Sequence, residues 1–103
     1  MDDYYLEKSE KPKKKYMVSW INPKSGRVKT IHFGAKGMTD YILSKGDDER
    51  KQRYINRHQK REDWSDLEKA GTWALNILWG EKTLKKSIKE MEKKFNIKIW
   101  LIE

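Results

Sequence analysis

Residues 72–79 read TWALNILW. On a helix, Trp73 pairs with Ile77, Ala74 with Leu78 and Leu75 with Trp79, each four residues apart and each on a different side. The segment is therefore apolar almost all round, and a helix without a polar face is a buried one. The chain is 39% charged and only 36% hydrophobic, so this segment has to lie inside and the rest has to pack around it. With 103 residues a single domain is expected, its core filled by five Trp, five Tyr and two Phe.

The flanking segments supply the surroundings. In KYMVSWI, residues 15–21, β-formers dominate and Tyr16, Val18 and Trp20 alternate with Met17, Ser19 and Ile21. NPKSGR is a turn signal, and RVKTIHF returns with Ile31 and Phe33 on one parity and Val28, Thr30 and His32 on the other. The pair reads as a β-hairpin. GAKG, residues 34–37, leads to MTDYILSK, a short helix capped by Thr39 or a turn, closed by Gly46. Asp47, Asp48 and Glu49 open a helix that runs to about Arg61, with acids at the positive end of its dipole. Ser65 to Glu68 has the spacing of a capping box, and so marks a new helix start before the apolar segment. Thr83 caps a last helix from about Leu84 to Phe95, with Leu84, Ile88, Met91 and Phe95 on its core face. Asn96 closes it, and IKIWLI reads as a final strand beside the hairpin.

The expected fold is thus α+β: a small antiparallel sheet, made of the hairpin and the C-terminal strand, packed with about three helices. Residues 1–15, MDDYYLEKSEKPKKK, read as a flexible basic N-terminal arm in which Tyr4, Tyr5 and Leu6 are the residues able to dock, and residues 16–103 as the folded domain.

The formal net charge is +8 and the pI about 9.6, which draws the chain to polyanions. The absence of cysteine removes disulfides and thiolate metal sites and fits a reducing compartment. No apolar leader stands at the N-terminus, and apolar runs are a few residues long, far short of the ~20 of a membrane span. No membrane partner is expected.

Most of the cations that matter fall in RKQRYINRHQKREDW. At ~100° per residue, Arg50, Arg53, Arg57, Lys60 and Arg61 share an arc of about 100°, with Tyr54 at its edge. No acid interrupts the stripe between Glu49 and Glu62. A solvated face usually mixes signs, and arginine suits phosphates and base edges, so nucleic-acid contact is the better reading and a solvated helix the other. Lys51 and His58 assist. The run Lys11 to Lys15, and within it Lys13, Lys14 and Lys15, is either a linker or a phosphate-tracking tail. Lys36 in GAKG reads chiefly as part of a β-to-α turn and secondarily as a phosphate contact. The last helix carries Lys85, Lys86, Lys89 and Lys93 among Glu90 and Glu92, the mixture of a solvated face.

Neither His32 nor His58 belongs to an HExxH or another ligand spacing, so no metal and no cofactor are expected. Asp40, Asp47, Asp48, Glu49, Glu62 and Asp63 are enough acids for a nuclease-type Mg²⁺ site, but their positions are those of caps and turns. Trp64 reads as a core or hinge aromatic, with base stacking the lesser reading.

The run HFGAKGMTDYILSKGDDERKQRYINRHQKREDW, followed by AGTWALNILW and LKKSIKEMEKKFNIKI, resembles a family of short basic proteins of giant viruses (nucleocytoplasmic large DNA viruses), catalogued as a domain of unknown function. The matching residues are His32, Phe33, Gly34, Gly37, Asp40, Tyr41, Arg50, Lys51, Arg53, Tyr54, Ile55, Arg57, His58, Glu62, Asp63 and Trp64. Met38 stands where that pattern has Tyr, Ser44 where it has His, and Gly46-Asp47 where it tends to Lys-Asp. The resemblance implies an abundant virion protein that packages DNA, placed in the virion interior and, in the host cell, in the nucleus or a cytoplasmic viral factory. The expectation is a non-enzymatic, non-sequence-specific DNA-binding protein that compacts a viral genome. Its partner would be double-stranded DNA, with RNA as the other candidate and self-association on DNA. The alternatives are a small Mg²⁺-dependent nuclease or its accessory, and a protein–protein module of the virion.

Overall fold

A computed structural model describes residues 2–103; Met1, the first residue of the expected arm, lies outside the described residues. The architecture is α+β, as expected, with four strands and three α-helices: β1 Asp3–Lys8, β2 Lys14–Ile21, β3 Val28–Ala35, α1 Asp48–His58, α2 Ala70–Trp73, α3 Leu84–Phe95 and β4 Lys98–Leu101. The sheet order is β3-β2-β1-β4.

The hairpin β2/β3 pairs Tyr16 with Phe33 and Val18 with Ile31, so the parity read from the sequence puts those side chains on the covered face. The other parity leaves Ile21 and Val28 exposed.

Two features of the sheet differ from expectation. The segment read as a flexible arm holds β1, an interior strand between β2 and β4. Tyr4 and Leu6 alternate with polar neighbours and are buried in the core, which the flanking charges obscure in the sequence. Pro12 does not mark disorder either. It sits inside the turn from β1 to β2, where Lys14 N donates to Lys11 O at 3.1 Å, a position that suits its fixed φ. The second difference is β4. It runs parallel to β1, with Tyr4 opposite Ile99 and Leu6 opposite Leu101, so the sheet is mixed and the C-terminal strand is not paired with the hairpin.

The apolar segment lies at the centre. Trp73, Ile77 and Leu78 are buried against Tyr4, Leu6, Val18 and Phe33 from the sheet and Ile88 and Met91 from α3. It is not one regular helix. Ala70–Trp73 is α-helical, and Ala74–Leu78 is a π-helical turn. Asn76 supplies a local cause: its Nδ2 donates to Thr72 O at 2.8 Å, the carbonyl an α-helical amide of residue 76 would use. The wider turn ends with Trp79 N donating to Ala74 O at 3.2 Å.

The capping box at Ser65 does not start a helix. The Asp63 carboxylate accepts from both the amide and the hydroxyl of Ser65, an Asx turn that holds the hydroxyl away from a cap. The same bonds hold Asp63 below the usual carboxylate pKa. The α-helix begins at Ala70 instead, without a side-chain cap. Residues 39–46 likewise form turns: Asp40 Oδ1 accepts from Leu43 N at 2.8 Å, and Lys45 and Gly46 reverse the chain at positive φ. α3 runs as read, with Thr83 accepting from Lys86 N and Asn96 closing the helix in the left-handed region.

Candidate nucleic-acid interface

α1 contributes no fully buried residue, so a few side chains must hold it to the body. Asp47 caps it, accepting from Glu49 N at 3.1 Å and Arg50 N at 3.2 Å. Lys51 Nζ donates to Gly80 O at 2.7 Å and lies over the Tyr41 ring, 4.7 Å from its centroid. Tyr41 Oη donates to Asp48 at 2.6 Å. Tyr54 stacks on Trp79, with centroids 4.7 Å apart and planes at 11°. His58 lies 4.3 Å from Tyr54 and its Nδ1 is 3.8 Å from Glu62 Oε1. These contacts anchor one flank of the helix and leave the arginine flank free.

That flank borders a groove of about 710 Å³. Arg50, Arg53 and Arg57 line one wall with Tyr54 and His58; Ala74, Leu78 and Trp79 come from the apolar segment; Gly34 and Ala35 come from the end of β3. Arg50 is held by Asp47, with Nε 3.2 Å from Oδ2, in a half-exposed contact that contributes little. Among the described residues, Arg53 and Arg57 have no ion pair. Burial, and secondarily the Glu62 charge, push the Tyr54 hydroxyl up to about 12, so it stays protonated across the physiological range.

The twelve sequence-expected residues divide into groups. Arg50, Arg53, Tyr54, Arg57 and His58 come together on the groove. Lys15 lines it too, but its ammonium is not a free arm charge. Nζ lies 2.6 Å from Asp40 Oδ2 and 2.6 Å from Met38 O, in a pair 12% and 3% exposed. Lys51 is a tether, as described. Lys13, Lys14 and Lys36 are exposed at the open end of the hairpin, where Lys36 N donates to Lys13 O and Lys14 faces Ala35. Lys60 and Arg61 are exposed beyond the end of α1, in a turn, so the helical stripe stops at Arg57. Within GAKG the Lys36 amide is bonded to Lys13 O, and the amide of Met38 just after it to Ala35 O, so neither is offered to a phosphate.

The carboxylates weighed for a Mg²⁺ site are dispersed. Asp40 pairs with Lys15, Asp47 caps α1, Asp48 accepts from Tyr41, Glu62 faces His58 and Asp63 holds Ser65. Among the described residues no three acids or histidines are gathered to hold a metal ion. Trp64 is half-buried, and its Nε1 is buried without a partner among the described residues. The floor of the groove was not read as a site in the sequence, because Ala74, Leu78 and Trp79 look like core. The available signal was the excess: an apolar helix packed on one sheet and one helix has a flank to spare.

The sequence profile of one family, described as "Family of unknown function (DUF5754)", matches residues 4–58. The match begins in β1 and ends with α1, so it includes the strand and the arginine helix and stops before the apolar segment. No curated protein and no solved structure matches the chain.

Proposed function

The chain belongs to the DUF5754 family of unknown function, and on that premise we propose that it binds double-stranded DNA without sequence specificity, through phosphate contacts made by Arg50, Arg53 and Arg57 of α1. Lys13, Lys14, Lys36, Lys60 and Arg61 extend the cationic surface. One observation carries the reading: Arg53 and Arg57 stand on a groove with no carboxylate partner among the described residues, in a chain of net charge +8. Cations of a merely solvating face are ordinarily interleaved with acids. Counterion release supplies most of the affinity in such a contact. Compaction of a genome in the particle of a large DNA virus is the setting that the giant-virus resemblance lends to this activity.

The test is a salt titration of affinity for random duplex DNA. Arg53→Gln/Arg57→Gln should lower the slope of log K against log salt by about 1.8, which is about 30-fold in affinity at 0.15 M salt. The charge-matched pair Lys85→Gln/Lys89→Gln on α3 should leave the slope unchanged. Salt-insensitive binding, or equal losses in the two pairs, would sink the proposal. Running duplex RNA in parallel separates a DNA binder from a general polyanion binder.

A further inference from the structure

The groove beside α1 is more than a place for phosphates. Phosphate contact needs cations on an accessible surface, and Arg50, Arg53 and Arg57 provide them. It has no use for the apolar residues that line the same groove: Gly34, Ala35, Ala74, Leu78 and Trp79. A continuous duplex keeps its bases stacked inside and presents charged backbone to a protein, so it leaves the half-buried Ala74 and Trp79 uncovered. A ligand that satisfies both sides has an anionic group joined to a flat, largely apolar body. The volume, about 710 Å³, is in the range of small-molecule clefts.

The local backbone supports the same conclusion. In an α-helix Trp79 would lie about 140° round from Ala74. The π turn, closed by Trp79 N to Ala74 O, brings those two residues towards one side, and both line the groove with Leu78. π-turns of this kind are often kept at functional sites. Trp79 continues into the Tyr54 and His58 rings, an aromatic surface directly beside the arginines. The lining holds four cations, Lys15, Arg50, Arg53 and Arg57, against one carboxylate, Asp40, which Lys15 already neutralises.

We infer that this groove takes an unpaired nucleotide of a single-stranded nucleic acid, the base against Ala74 and Trp79 and the adjoining phosphate on Arg53 and Arg57. The inference rests on the nucleic-acid reading of α1 and adds to it a class of substrate: strands with exposed bases, such as ends, gaps and unwound segments. Stacking on aromatic rings tolerates any base, so sequence preference stays weak.

The test compares two probes of equal length and charge by fluorescence anisotropy: oligothymidylate and the corresponding abasic strand. The protein should bind oligothymidylate about tenfold tighter, the contribution of one stacked base. Ala74→Leu narrows the groove from within without adding a ring to stack on and should erase that difference. Ala35→Leu, at an exposed position on the rim, should do the same and serves if Ala74→Leu does not fold. A 2-aminopurine in the strand should be quenched on binding wild type and not on binding either variant. Equal affinity of wild type for both strands overturns the inference, as does a preference that survives both variants. If blunt duplex still binds with the Arg53 and Arg57 dependence, only this inference falls; if neither duplex nor strand binds, the proposed function falls with it.

Discussion

Lys15 provides the sharpest test of which lysines act on partners and which hold the fold. Lys15→Met removes an ammonium 12% exposed from beside a carboxylate 3% exposed. Asp40 keeps its bond from Leu43 N to Oδ1, but Oδ2 and the Met38 carbonyl lose their donor. Deleting one partner of a buried ion pair costs about 3–5 kcal/mol, because the other charge stays buried and uncompensated. In a domain of this length each kcal/mol lowers Tm by about 4–8 °C, so the fall is on the order of 12 °C or more. Urea denaturation followed by tryptophan fluorescence reads the loss directly. In Lys15→Met/Asp40→Asn the amide still accepts from Leu43 N and no charge is stranded, so the double variant should recover about 2 kcal/mol over the single one. A loss below about 1 kcal/mol in Lys15→Met would put the pair in the class of exposed ion pairs and refute the buried geometry. The folded variant should keep the wild-type salt slope on duplex DNA, since this ammonium is engaged within the protein.

Two further outcomes are expected. The Tyr54 hydroxyl is raised from 10.0 to about 12 by burial and by Glu62, so its stabilisation is complete below pH 10 and is lost as pH rises through about 12; the unfolding free energy of wild type minus that of Tyr54→Phe, followed from pH 9 to 12, should fall over that window, and a flat difference would contradict the burial. Gly34 has φ +78°, and an added Cβ would lie 2.6 Å from Leu78 Cδ1, so Gly34→Ala should destabilise by about 2–4 kcal/mol from left-handed strain and overpacking; a raised urea midpoint would refute that account.

What local signals can carry was carried well. Asp47, Thr83 and Asn96 mark helix ends because capping depends on neighbours a few residues away. The hairpin parity of Tyr16, Val18 and Trp20 follows from a period of two. The same local habit misread β1, whose two core residues, Tyr4 and Leu6, are outweighed by the charges around them. It also took Ser65 to Glu68 for a cap, when the competing acceptor was Asp63, two residues upstream. The wheel placed Arg50, Arg53 and Arg57 together, and the structure sets them on one groove.

The sequence alone thus determined the α+β class, the caps of α1 and α3, the side-chain parity of the hairpin and the presence of an acid-free arginine run, since each depends on spacing along the chain. Tertiary structure decided which cations are free. Lys15 finds Asp40 25 residues away and Lys51 finds the Gly80 carbonyl 29 residues away, and no local pattern encodes either meeting. It also decided that the spare flank of TWALNILW forms the floor of a groove, because that depends on where α1 docks, through Tyr54 on Trp79, and the long-range packing that sets it has no period to read.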